Sequence, residues 1–176
     1  MKKIINPWKE KEGYNCFGCA PNNPVGVKME FYEDGDEIVS LWYLKAEYQG
    51  WINSLHGGIQ AVLLDEICGW TILRKLQTGG VTSKMETRYL KPVNTTDNHV
   101  VLRARIQEKK RNIILLEAGL YNQQGELCTK ALCTYFTFPQ EKAKAEMHFM
   151  GCEVEEEEVT LKELQYEETV TIDSLK

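Results

Sequence analysis

The sequence predicts an α+β domain in which an antiparallel sheet wraps around one long central helix. Three observations predict it. Residues 59–76 are apolar on nearly every side of a helical wheel, so this helix must be surrounded by protein. Short runs that alternate apolar and polar residues stand before and after it, as half-buried strands do. The later runs are joined by tight turns, which connect antiparallel neighbours. With 176 residues there is room for one domain, or one domain with an appendage.

In chain order, residues 1–27 are rich in Gly, Pro and Asn and read as an irregular lead-in. Two β-prone runs follow at 28–32 and 37–44, joined by the turn signal Glu33-Asp34-Gly35-Asp36. After His56-Gly57-Gly58 the apolar helix begins, with Ile59, Val62, Leu63, Leu64, Ile67, Trp70, Ile72, Leu73 and Leu76. Arg74 and Lys75 suit its negative C-terminal end, and Gly79-Gly80 stops it. Four more strands are expected. The first spans 82–90, ahead of Lys91-Pro92, and the second has Val100, Leu102, Ala104 and Ile106 pointing inward. The other two are 113–121 and 127–138, separated by the hairpin signal Asn122-Gln123-Gln124-Gly125. A sheet of this size cannot cover the helix on every side, so part of the helix or of the sheet edge is expected to meet a second copy of the chain. Residues 1–138 form the domain on this reading. Residues 139–176 form an acidic extension, solvated and only partly ordered.

Charge narrows the function. The net charge is −5, yet from Pro139 onward eleven acidic residues face four lysines, so the preceding chain is weakly basic. A nucleic-acid binder would need a clustered basic face, which is not visible. The longest uncharged apolar run, 59–64, is far short of a membrane span, and the N-terminus has no stretch resembling a signal peptide. A cytoplasmic protein with six reduced cysteines is expected, with no nucleic-acid or membrane partner.

The candidate chemistry begins with Asp65, in the middle of the apolar helix. Its helical neighbours Ala61, Val62, Cys68 and Gly69 cannot pair with a carboxylate. Burying an unpaired carboxylate costs several kcal/mol, so Asp65 needs a distant partner or a water-accessible pocket. Glu66 is turned to another face, and a shared site for both is not expected. At the helix start, the first amides of His56-Gly57-Gly58 have no intrahelical acceptor and can hold an oxyanion. Gly57 and Asp65 lie eight residues, or about 12 Å, apart along the axis. They cannot act on one carbonyl from one helix. Two antiparallel copies would bring Gly57 of one opposite Asp65 of the other, giving two shared sites per dimer.

The run His56-Gly57-Gly58-Ile59-Gln60-Ala61-Val62-Leu63-Leu64-Asp65-Glu66-Ile67-Cys68-Gly69-Trp70 resembles the central-helix motif HGGxxxxxxDExxGW of hotdog-fold acyl-CoA thioesterases. The branch it resembles is the phenylacetyl-CoA thioesterase-like (PaaI-like) one of the 4-hydroxybenzoyl-CoA thioesterase superfamily. Asn15-Cys16-Phe17-Gly18-Cys19, with Asn23-Pro24 and Gly26, is similar to the lead-in CFGCGxxNPxGL, and the segment ending Tyr89-Leu90-Lys91-Pro92-Val93 is similar to the strand after the helix. The resemblance covers residues 14–138 and implies a hotdog fold, a homodimer or homotetramer, and hydrolysis of an acyl-CoA. It implies that Asp65 is the catalytic carboxylate, as general base or as nucleophile, that the Gly57 amide is the oxyanion donor with His56 and Gly58 in the same loop, and that Thr82 positions water. Strict alternation, however, groups Thr82 with Lys84, Glu86 and Arg88 on a solvent face unless the strand starts later or carries a bulge. Some relatives have an Asn where this chain has Gly50, and Asn53 is the nearest substitute. The basic turn Lys109-Lys110-Arg111, and less so Lys91, is the expected holder of the CoA phosphates.

Cys16-x-x-Cys19 is half a zinc motif, and His148-x-x-x-Cys152 contains two further ligand types. The resemblance gives the lead-in cysteines a packing role, so no metal and no cofactor beyond substrate CoA is expected. Two other activities fit the same residues: a non-catalytic acyl-CoA-binding module, and a dehydratase of 3-hydroxyacyl thioesters with His56 as base.

Overall fold

A computed structural model describes residues 1–165 of the chain. It contains strands β1 (Lys2–Ile4), β2 (Tyr32–Asp34) and β3 (Glu37–Tyr43), helix α1 (Gly57–Leu76), strands β4 (Gly80–Tyr89), β5 (His99–Lys110), β6 (Ile113–Asn122) and β7 (Leu127–Thr137), helix α2 (Gln140–Met147) and strand β8 (Val154–Glu158). The strands make one sheet in the order β4-β7-β6-β5-β3-β2-β1-β8, with every pairing antiparallel. The sheet curls around α1, which packs against β3 through β7, and this is the hotdog fold. Leu63, Leu64, Ile67 and Ile72 of α1 are sealed in the core between helix and sheet.

The helix begins where a side chain can cap it. His56 is the N-cap, and its Nδ1 accepts from the Gly58 amide at 2.9 Å. The helix ends at Gln77, which adopts a left-handed conformation (φ 50°). Not all of α1 is covered. Gly58 is exposed, and Ala61, Val62, Asp65 and Gly69 are half-buried in a stripe along one side of the helix.

Three expectations need correction. Residues 28–31 form no strand, because Lys28 lies at φ 53° and the Met29 amide donates to the Gly18 carbonyl, although the Phe31 carbonyl accepts from Ile4 of β1; their alternation reflects burial of Met29 and Phe31. β5 runs through the expected charged turn as far as Lys110, helped by a bulge between Ile106 and Glu108, so the turn itself is Arg111 (φ 55°) and Asn112.

The third correction joins the two ends of the chain. The lead-in is not irregular throughout, since β1 pairs with β2 on one side and β8 on the other. Nor is the extension only solvated, because Phe149 and Cys152 are buried while Glu155 to Glu158 keep their side chains exposed. A backbone ladder has no quarrel with acidic side chains that all stand in water, as they can on both faces of an edge strand. Residues 166–176, the last part of the expected extension, lie outside the described residues.

Candidate functional site

Asp65 projects from the half-buried stripe of α1 into a cleft of about 510 Å³ whose apolar wall includes Trp8, Tyr14, Trp70, Leu73, Tyr135 and Met147. It has no ion pair among the described residues. Two hydroxyls serve it instead. Thr82 Oγ1 donates to Asp65 Oδ1 at 2.6 Å, and the Tyr135 hydroxyl lies 2.9 Å from the Asp65 carbonyl oxygen and 3.2 Å from Oδ1. Burial and the neighbouring Asp65 charge push the Tyr135 phenol above its ordinary range, so it stays a donor at neutral pH. Oδ2 has no protein partner among the described residues. A carboxylate held by one oxygen with the other free can take a proton from water or attack an electrophile.

Thr82 arrives there because β4 is irregular. The register with β7 shifts between Thr82 and Lys84, and this bulge turns the Thr82 side chain away from the face of Lys84, Glu86 and Arg88. Tyr135 was missed in the sequence, although a signal existed. It lies on the inward face of β7 with Ala131 and Cys133, and a buried tyrosine needs a hydroxyl partner. Tyr89 was missed as well; its hydroxyl donates to the Gly57 carbonyl at 2.9 Å.

At the helix start the two glycines have different roles. The Gly58 amide is engaged by His56, which leaves the Gly57 amide as the first helical N–H without an intrahelical acceptor. Because His56 Nδ1 accepts that bond, the ring proton sits on Nε2. Asn53 is not brought to the Asp65 cleft. It occupies an exposed left-handed turn position (φ 59°), while Gly50 packs on His56, where a Cβ would lie 3.3 Å from the ring.

The basic candidates also separate. Lys91 pairs with Glu126 at 2.7 Å and Lys110 with Glu108 at 2.8 Å, both on the surface. Lys109 and Arg111 instead line a second cleft of about 400 Å³ with Leu76, Thr78 and Phe136, at the far end of α1 from Gly57.

Glu66 lines the same cleft as Asp65, contrary to the expectation from helical rotation, because the lead-in bends over α1 and closes the cleft on Glu66's side. Its Oε1 accepts from Trp70 Nε1 at 3.1 Å and lies 3.6 Å from Cys16 Sγ. Gly18 leaves room for this carboxylate as it stands, since a Cβ would fall 2.1 Å from Glu66 Oε2 and displace it. Hydrogen bonding from Cys19 holds the Cys16 thiol down at about 7, while that same bond and burial push Cys19 up. His148 and Cys152 do not join this cluster.

Residues 52–129 match the family model of the thioesterase superfamily. No curated protein matches the chain. The fold is similar to a hypothetical thioesterase protein from Streptococcus pneumoniae solved with coenzyme A, at a TM-score of 0.59 and 24% identity over 64% of this chain and 87% of that one. It is similar to a Bacillus halodurans protein solved with CoA, at 0.54 and 27% over 61% and 71%. A third structure, a thioesterase superfamily protein, gives 0.62 and 21% over 66% of this chain, which spans only 57% of that protein.

Proposed function

We propose that this chain, whose residues 52–129 match the family model of the thioesterase superfamily, is an acyl-CoA thioesterase that releases free acid and CoA. The observation that carries the reading is Asp65: a carboxylate on a mostly buried helix, without an ion pair among the described residues, fixed through one oxygen and opening on an apolar cleft. Water held against Oδ2 attacks the thioester carbonyl as Asp65 takes its proton, and the CoA thiolate then leaves. Direct attack by Asp65 through an anhydride is the other route to the same products.

The oxyanion needs a donor about 3 Å from the reacting carbonyl, and Gly57 of the same helix is about 12 Å away. The amide therefore comes from a second protomer. The half-buried stripe of α1 and the open outer edge of β4 beside it, with Val81 about half exposed, offer the surface on which that copy packs. The basic pair Lys109 and Arg111 lies near Leu76, eleven residues or about 16 Å from Asp65 along the helix. That is a span an extended pantetheine arm covers, so this pair suits the nucleotide phosphates. The six cysteines are all free, in keeping with a cytoplasmic protein, and no described helix is long and apolar enough to cross a membrane.

The test is thiol release over a panel of aliphatic and aromatic acyl-CoAs. Asp65→Asn is expected to lower kcat by about 10²- to 10⁴-fold, the range for a lost general base or nucleophile, while acyl-CoA still binds. Turnover unchanged in that variant would leave only the binding-module reading. Hydration or dehydration of 3-hydroxyacyl substrates without thiol release would leave the dehydratase, for which His56 is poorly set because its Nδ1 is engaged by the helix cap.

A further inference from the structure

We infer that Cys16, Cys19 and Glu66 form a binding site for a thiophilic divalent metal ion, zinc first, in the wall of the Asp65 cleft. The lead-in thereby has a role beyond the packing expected of it. The sulfur atoms of Cys16 and Cys19 and a carboxylate oxygen of Glu66 all lie within 4.8 Å of one another, and among the described residues no other group of three such side chains converges in this way.

The spacing fits tetrahedral coordination. Bonds of about 2.3 Å to sulfur and about 2.1 Å to oxygen require an S···O edge of about 3.6 Å, and Cys16 Sγ stands 3.6 Å from Glu66 Oε1. Two sulfur ligands select zinc-like ions over magnesium or calcium, which take oxygen. The ligands are also held by outer partners. The Trp70 indole, which can only donate, fixes Glu66 Oε1, and the Tyr14 hydroxyl lies 2.8 Å from Cys19 Sγ and is itself held by Asn6 Nδ2 at 3.0 Å. Gly18 lets the loop between the two cysteines close over the carboxylate with no side chain in the way. All three ligands line the cleft, so water can reach the fourth position from that side. An ion at this point ties the lead-in to α1 one residue from Asp65.

The same 3.6 Å contact would also suit a thiol donating to a carboxylate, and metal binding separates the two. The measurement uses the full chain without any substrate, so its result is independent of thioester hydrolysis. Purified in metal-free buffer and supplied with zinc, the protein is expected to retain about one equivalent per chain after dialysis. Cobalt in place of zinc is expected to give thiolate-to-metal charge-transfer bands with tetrahedral visible absorption. Competition with a chromogenic chelator should show binding weakened at least tenfold in Glu66→Gln and abolished in Cys16→Ser, weakened about tenfold in Tyr14→Phe, and unchanged in His148→Ala. Folding of each variant is checked by circular dichroism, and the wild-type cobalt spectrum needs no variant at all. Folded wild-type protein that retains no metal from excess zinc, or that binds it equally well in Cys16→Ser and Glu66→Gln, overturns the site.

Discussion

The two edges of the sheet are built on opposite principles. β8 is five residues long, and Glu155 to Glu158 line it with exposed like charge, so a further strand is repelled. β4 is twice as long, and Val81 and Tyr89 are about half exposed on it with Leu90 just beyond. An exposed long edge with apolar side chains is a liability in a monomer and an asset in an assembly. The difference points to where the proposed chemistry lies: Thr82, the Asp65 cleft and the stripe of α1 all adjoin the open edge, and the closed edge carries the fastening of β1 to β8.

The sharpest way to break this comparison is to close the open edge. Val81→Lys places a charge where the second copy is proposed to pack. Sedimentation is expected to report monomers, and thiol release is expected to fall by about 10²- to 10³-fold, the cost of one lost oxyanion donor. Monomers that retain full kcat would mean that each chain completes its own site.

A smaller effect tests the bulge in β4. Thr82→Val keeps shape and removes the 2.6 Å bond to Asp65 Oδ1. A hydrogen bond to a charged group contributes about 1.5–3 kcal/mol, so kcat is expected to drop by roughly ten- to a hundredfold with little change in KM. Ser83→Ala, which removes a bond to the Thr134 carbonyl, is expected to leave kcat untouched.

These two residues also mark what the sequence disclosed. The central helix was legible because its apolar positions crowd every side of the wheel, and Asp65 stood out because none of its helical neighbours can pair with it. Thr82 was legible only as a conditional, since a one-residue bulge reverses which face a side chain takes and leaves no mark in the alternation. Tyr135 is seventy residues from Asp65, and only the closing of the sheet brings them together. The extension was misread because charge density outweighed two residues, Phe149 and Cys152, that anchor it from just before the acidic run. Local composition reports the side chains' solvent, whereas a ladder is a matter of backbone.

The smallest effect sits at the closed side. Glu33 of β2 accepts from Arg74 Nη2 at 2.8 Å and Lys75 Nζ at 2.6 Å, at the negative end of α1, and Arg74 Nη1 also donates to the Cys152 carbonyl at 2.8 Å. One carboxylate thus fixes helix, sheet and extension. Burial works to raise the Glu33 carboxyl, but the bonds from Arg74 and Lys75 outweigh it and hold the group below its ordinary value. A carboxyl depressed in the folded state stabilises fully above its unfolded pKa, and that contribution is lost as pH falls through the folded one. Glu33→Gln is therefore expected to cost about 1 kcal/mol near neutral pH, since the pair is partly solvated, which is a Tm lower by about 2–4 °C for a chain of this length. The gap from wild type should shrink towards zero as the buffer is taken into the acid range, with kcat equal to that of wild type at each pH because the cleft at Asp65 is not touched. A gap that widens in acid would mean that the two cations, left facing each other, dominate this end of the helix.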